Sequence, residues 1–385
     1  LILIVINLQG ANEMQLQIPN AINEQEKILK IAQTYCQEVV SPQAEIIDRQ
    51  PERLKQILQE MGERSLLGLE IPKDFGGTEL DALNYHQFQL TLAQHSGALA
   101  FLQTQHQSAA AMLASSDNLF LKRAYLPHMT NGEVMIGVGF SQLRRYPHVL
   151  VTASETRRGY LLEGEVPWIT GFGFFKEFII GAHLADGREI YGIVPLKSTT
   201  QKSGGSISLS EPMQLAAMAA TNTVSAKLHR WLLEQDSVLS IQPVGAIHEK
   251  DRHNVLHHGF FALGCAQAGV NILENNYYKK KLSCLQEAFL VLNRELNQCR
   301  NAMFAGLTAS NHDYEQKLKI RAWAIELAGR CSQAAVAASG GVANSQFHAA
   351  QRVYREALLF TVSGQTTDVM QETLKAIASS NYKVL

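Results

Sequence analysis

The sequence lacks a cysteine framework. Its five cysteines, Cys36, Cys265, Cys284, Cys299 and Cys331, are odd in number, widely spread and free of any CxxC pair. That excludes a disulfide-stapled secreted scaffold and points to reduced thiols in a cytoplasmic protein. An excess of either charge is missing too: 34 Lys and Arg stand against 35 Asp and Glu, for a formal net charge of -1. A nucleic-acid partner, which rewards concentrated positive surface, is not expected. Long apolar runs are absent. LILIVI at residues 1–6 is far shorter than the ~20 residues of a membrane helix. It has no basic segment before it and no small-residue cleavage site after it, so it reads as an edge strand or a segment docked on a partner subunit. No internal repeat is visible. What the chain does have is 385 residues, 46% of them hydrophobic and 18% charged. That is enough apolar mass for a large core and for two or three domains, and it is not the composition of a disordered chain.

The residue period changes twice. From about Asn23 to Gly132 it is helical: Ile28, Ile31, Ala32 and Tyr35 recur at threes and fours, as do Leu54, Ile57, Leu58 and Met61. Pro51 suits the first turn of the second helix. GLEIPKDFGGTELD, residues 68–81, breaks the pattern, and Thr78 or Asp81 can cap the helix that follows. An alanine-rich helix is expected around Ser108 to Ala114. Between Val134 and Leu239 come short β-branched and aromatic runs, VMIGVGF, HVLVTASE, GYLLEGEVPWIT, EFIIGAHL and EIYGIVPL. Asp186-Gly187 reads as a hairpin turn, and TTQKSGGS as a loop. Turns this short predict an antiparallel sheet. After Pro243 the helical period returns over His253–Lys280, Leu285–Met303, Tyr314–Ala338, Gln346–Phe360 and Asp368–Ile377. Small residues at the contacts suit a tight bundle. The expected organisation is α+β: an N-terminal helical domain over 1–133, a central antiparallel β-domain over 134–242 and a C-terminal four-helix bundle over 243–385.

That order, together with LLGLEIPKDFGGTELD, GVGFSQL, GYLLEGEVPWITGF, GCAQAG, SGGVANS and YREALLFTVSGQTTDV, resembles the acyl-CoA dehydrogenase family of flavoproteins over nearly the whole chain. The resemblance implies FAD, or FMN, between the β-domain and the bundle. It implies a homodimer or homotetramer, with a neighbouring subunit contributing to the cofactor site. On the matching positions, Phe140 and Ser141 would end a strand beneath the isoalloxazine. Trp168 would shield one side of the ring, and Ile169 and Thr170 would offer backbone and hydroxyl partners. Gly340 and Gly341 would bring backbone amides to the cofactor across the subunit interface. Without the resemblance, Phe140 and Trp168 read equally as core, Ser141 and Thr170 as strand-end hydroxyls, and the glycine pair as a helix stop. The family's Arg-x-Phe-Gly word is missing. Lys279, Lys280 and Lys281 stand in that stretch, as charge for a pyrophosphate or as a solvated helix end.

The implied reaction, CH–CH oxidation of an acyl-CoA or similar small molecule, needs a carboxylate to take the α-proton. The matching position is Ser363, and the alternative position in some relatives falls at or beside Asn254. Neither is acidic. Glu356 and Asp368 flank the same loop as substitutes, or as a surface carboxylate and a helix cap. The missing base keeps two other outcomes open: a monooxygenase using reduced flavin from a partner reductase, or a catalytically silent scaffold. For the monooxygenase, His253, His257, His258 and His348 are candidate hydrogen-bonding groups. His253 and His257 are i,i+4, which raises metal, but His248 and His253 do not make an HExxH word. Arg144 and Arg145 mark an entrance for an anion such as a CoA phosphate. The expected partners are a small-molecule substrate and an electron-transfer protein or flavin reductase, with no membrane.

Overall fold

The computed structural model describes residues 24–308 and 313–379; the apolar run at residues 1–6 lies outside them. The N-terminal part is helical: α1 (Glu24–Tyr35), α2 (Ala44–Ile47), α3 (Pro51–Glu63), α4 (Ala82–His95), α5 (Gly97–Ala114) and α6 (Leu119–Met129). Pro51 opens α3 from the first turn, where its missing N–H is not required. Asp81, not Thr78, caps α4, accepting from the Asn84 amide at 2.9 Å. Ser96 caps α5 by accepting from the Leu99 amide. The alanine-rich stretch is the second half of α5, which begins a full turn and more before Ser108.

Strands β1 (Ile136–Gly139), β2 (Val151–Thr156), β3 (Gly159–Thr170), β4 (Glu177–His183), β5 (Glu189–Pro195), β6 (Thr199–Thr200), β7 (Ser206–Leu209), β8 (Thr223–Glu234) and β9 (Val238–Gln242) form one sheet. Along it the order is β6-β7-β8-β3-β2-β4-β5-β9, with β1 on β4. Most pairs are antiparallel, and Asp186-Gly187 turns β4 into β5 as expected. Two departures correct the sequence reading. β1 runs parallel to β4, and β2 meets β4 in a parallel bridge, so the sheet is mixed. The polar stretch 199–206 is not a simple loop: Thr199–Thr200 pairs with Ser206 and Ile207 in a short hairpin.

The C-terminal part holds α7 (Ala246–His253), α8 (Gly259–Lys280), α9 (Ser283–Thr308), α10 (Tyr314–Ser339), α11 (Ala349–Val362) and α12 (Thr367–Ser379). The single helix expected from His253 to Lys280 is broken by a turn at 254–258. Helix α8 lies at the centre, against α4, α9, α10 and α11. The GCAQAG word explains how: a Cβ on Gly264 would sit 2.7 Å from Ala93 Cβ, and one on Gly269 would sit 2.6 Å from the Cys331 carbonyl. Both ends of the word allow backbone contact that any larger residue would prevent. Phe260, Phe261, Leu263, Cys265 and Val270 on α8 are buried in one core with Leu92 and Phe88 of α4, so the bundle and the N-terminal helices share their apolar interior. Among the described residues no helix is long and apolar enough to cross a membrane.

Candidate functional site

The end of β1 and the end of β3 lie together. A Cβ on Gly139 would come 3.0 Å from Ile169 Cγ1, and one on Gly137 would come 3.4 Å from the Thr170 carbonyl. Phe140 stands just past β1, half-buried, and packs edge-on to Tyr191, ring centroids 5.8 Å apart. Ser141 opens a short 3-10 turn and is half-buried. Beside it, Gln142 donates to the carbonyls of Gly139 and Gly181, while its buried Oε1 has no partner among the described residues.

Trp168 is the exposed member of the pair of segments. Pro167 cannot donate to the ladder, and the β3–β8 pairing jumps from Val166–Ala226 to Ile169–Val224. The extra residue on β3 is a bulge. It turns Trp168 out to 48% exposure while Ile169 on the next position is fully buried. Thr170 is buried and shares a 3.0 Å hydroxyl–hydroxyl bond with Thr223.

Gly340 and Gly341 are not brought to these segments within one chain. They begin the turn between α10 and α11, both exposed, with Gly340 at φ +75 and no atom within 4 Å of an added Cβ on either. Lys280 donates to the Ala338 carbonyl at this same end, and Lys281 closes α8 in the left-handed conformation. Two of the three lysines are therefore engaged as helix-end groups.

Around Ser363 lies a group of buried and half-buried polar side chains whose convergence the sequence did not predict. Ser363 ends α11, and its Oγ lies 2.9 Å from His258 Nδ1. Arg321, buried on α10, donates to the carbonyls of Val255, Ser363 and Gly364, each at 2.9 Å. The guanidinium thus ties the 254–258 turn to the 363–364 turn. Burial pulls Arg321 down to about 10. Burial, then the Arg321 charge, then His257, holds His258 well below its ordinary range, so the imidazole is neutral. His257 is pushed down to about 3 by burial first, then by His86, Arg321 and Lys250. Its ring lies 4.8 Å from His86 and 5.8 Å from Tyr85 of α4. Nearby, burial raises the Glu70 carboxyl to about 7, with Tyr85 and Lys250 pulling the other way. Glu70 sits inside the loop word that marked the N-terminal part; nothing in that word signals a perturbed acid.

The other candidates are placed elsewhere. Asn254 is exposed at the end of α7. Glu356 is neither a surface carboxylate nor a site base: it is fully buried, pairs with Arg352 at 2.8 Å and accepts the Gly97 amide at 3.0 Å. Asp368 is half-buried in the first turn of α12 and accepts the Tyr314 hydroxyl at 2.9 Å. His348 caps α11 by accepting from the Ala350 amide. His253 ends α7 while His257 lies in the following turn, so the i,i+4 helical face does not form. Among the described residues no three His, Cys, Asp or Glu gather for a metal ion. Arg144 is committed to Asp251 by two bonds of 2.6 and 2.8 Å, leaving Arg145 as the exposed member of that pair.

The profile of the acyl-CoA dehydrogenase N-terminal domain matches residues 22–133. A 3-(aryl)acrylate reductase of Clostridium sporogenes is 23% identical over 370 residues, covering 90% of this chain and 96% of that protein. The chain is thus similar to acyl-CoA dehydrogenases in its N-terminal part and has their fold over nearly its whole length. Two solved members of the fold agree with this chain's architecture. Butyryl-CoA dehydrogenase of Megasphaera elsdenii superposes with a TM-score of 0.77 at 15% identity, over 92% of this chain and 98% of that one. PigA, solved with FAD and proline, superposes at 0.76 and 17% identity, over 94% and 99%. These likenesses support an oxidoreductase role only at the general level of the family the chain resembles.

Proposed function

We propose that this protein is an FAD-dependent oxidoreductase acting at the Cα–Cβ bond of an acyl-CoA or similarly activated acyl compound. The observation that carries the reading is the junction of β1 with β3: Ser141 and Gln142 stand beside a bulge that turns Trp168 outward, next to the buried Ile169 and Thr170. An indole face half open to solvent, the unpartnered Gln142 Oε1 and the open Gly340 backbone fit a flat cofactor with a polar edge and a phosphate tail. The glycine pair would serve the site of a second copy in a homodimer or homotetramer. Bound FAD would supply hydride chemistry; FMN meets the same ring requirements. The Clostridium sporogenes relative, named for reduction of aryl acrylates, favours activated C=C compounds among the substrates to try. An electron-transfer protein or flavin reductase, in the cytoplasm, would complete the cycle.

A second reading, a reduced-flavin monooxygenase, is favoured by one observation: a Ser–His pair, with no carboxylate, occupies the expected base position. The test is the visible spectrum of the purified protein reconstituted with FAD. Anaerobic bleaching by an acyl-CoA, or reoxidation of the reduced protein by an enoyl-CoA or aryl acrylate, supports the first reading. Bleaching only by a reductase, followed by oxygen consumption with substrate hydroxylation, supports the second. Failure to retain any flavin overturns both and leaves the scaffold.

A further inference from the structure

We propose that Ser363 and His258 together form the proton-transfer unit of this site, exchanging the α-proton of a bound acyl thioester in place of a carboxylate. The inference rests on the function proposed above. Its geometry is on this chain alone. Ser363 Oγ and His258 Nδ1 are 2.9 Å apart, a distance across which a proton passes within one hydrogen bond. Both partners are held from behind. Arg321 bonds the carbonyls of Ser363 and Gly364 on one side and of Val255 on the other, fixing the two turns that carry the pair. Gly364, at φ +58, lies against the imidazole; a Cβ there would come 2.6 Å from Nε2 and overlap Cδ2. The ring is also packed against Phe261 and His257, at 5.7 and 5.8 Å. A histidine serving only to fill space needs neither a cleared backbone beneath it nor a hydroxyl on its ring nitrogen.

With the ring proton on Nε2, Nδ1 accepts the Ser363 hydroxyl. In the exchange step the substrate Cα–H bond breaks and its proton goes to Oγ as the Oγ–H proton goes to Nδ1. This leaves an enolate and an imidazolium, and no electron leaves the substrate. Reversal with a solvent-derived proton completes the exchange. A serine alone is too weakly basic for this; the imidazole on its Oγ is the acceptor that makes it a relay, and burial with the Arg321 charge makes it a weaker acceptor than a free histidine until the negative enolate forms beside it. Ser363 is the residue that meets the substrate, and His258 acts through it.

The test incubates FAD-reconstituted protein anaerobically with butanoyl-CoA in D2O and follows α-deuterium by mass spectrometry. Wild type is expected to incorporate deuterium. Ser363→Ala and His258→Gln are each expected to slow it by about 100-fold or more, the ordinary worth of acid–base assistance, while Ser363→Thr restores it. In the flavin-free protein, the imidazole 15N shifts of His258 should change in Ser363→Ala and be restored in Ser363→Thr. Wild-type exchange in Ser363→Ala, or loss of exchange only in Glu70→Gln, overturns the proposal while leaving the flavin reading intact. Retained flavin with no exchange by wild type does the same. A wild-type protein that neither holds flavin nor exchanges deuterium overturns the function on which it rests.

Discussion

Gly364 and His258 occupy one space: the imidazole fills the position that any side chain at residue 364 would need. The backbone there is also left-handed, at φ +58, which a Cβ disfavours by about 1 kcal/mol or more. Gly364→Ala is therefore expected to lose ~1–3 kcal/mol in urea unfolding and to separate His258 from Ser363, seen in the 15N shifts of the ring. Gly340→Ala is the control. Its φ is +75 with ψ -157, a region that only glycine favours, but nothing lies within 4 Å of the added carbon, so only the backbone cost of about 1–3 kcal/mol should appear, with no effect on the His258 ring shifts.

Glu356 is expected to matter for folding and not for proton transfer. Its carboxylate is fully buried between Arg352 and the first amide of α5. Glu356→Ala strands that guanidinium in the core, although Glu45 still holds it at 2.9 Å, so a loss of about 3 kcal/mol is expected. Glu356→Gln keeps an acceptor for the Gly97 amide and should lose less. Neither variant should change α-deuterium incorporation once folded. A selective loss of exchange in Glu356→Gln would return this residue to candidacy as the base.

Much of the architecture follows from local pattern, because side-chain period reports one residue's face at a time. The run Gly159–Thr170 is β3 to the residue, and Tyr314–Ala338 is α10 less its last position. Pro167 is the physical reason Trp168 leaves the sheet, and it is visible in the sequence. The break at 254–258 was not visible, since Val255, Leu256, His257 and His258 include neither proline nor glycine and keep an apolar period. The parallel β1–β4 pairing was equally hidden, because alternation within a strand does not name its neighbour. The same holds for the site. His258 meets Ser363 across 105 positions and Glu356 meets Gly97 across 259, and each partner alone is an ordinary polar residue. Glu70 became perturbed only through burial beside Tyr85 and Lys250.

The buried and half-buried histidines set the response to acid. His106 is pushed down to about 4 and His257 to about 3, both first by burial, and His86 and His258 are lowered from the same cause. In each, the unfolded chain binds the proton before the folded one, so the stability they contribute is full above about pH 6.5 and is lost as pH falls below it. Glu70 has the opposite sign. Raised to about 7, it is protonated in the folded protein while ionised in the unfolded one, and its contribution is present below about pH 4.5 and lost as pH rises to 7. The histidines outnumber it, so urea midpoints are expected to fall from pH 7 to pH 5. Glu70→Gln removes the opposing group, and its midpoint should fall more steeply over the same interval. A shallower fall in that variant would show that Glu70 is already ionised in the folded protein at pH 5.

Trp168 gives the most direct reading of the cofactor site, because its exposure at 48% means that its removal leaves the β-domain interior largely intact. Ile169, the neighbouring residue, carries the core packing, and the bulge at Pro167 is fixed by the backbone. Trp168→Ala should therefore leave the urea midpoint nearly unchanged. If the indole covers a flavin ring, the same substitution should weaken FAD binding by about tenfold, equivalent to ~1.4 kcal/mol of ring contact. Ser363→Ala, which removes a hydroxyl already satisfied by His258, should leave FAD affinity where it was. Titration of flavin fluorescence in the two variants separates these effects. Equal weakening in both would mean that the ring rests against the 363–364 turn, and an unchanged affinity in Trp168→Ala would move the cofactor away from the β1–β3 junction.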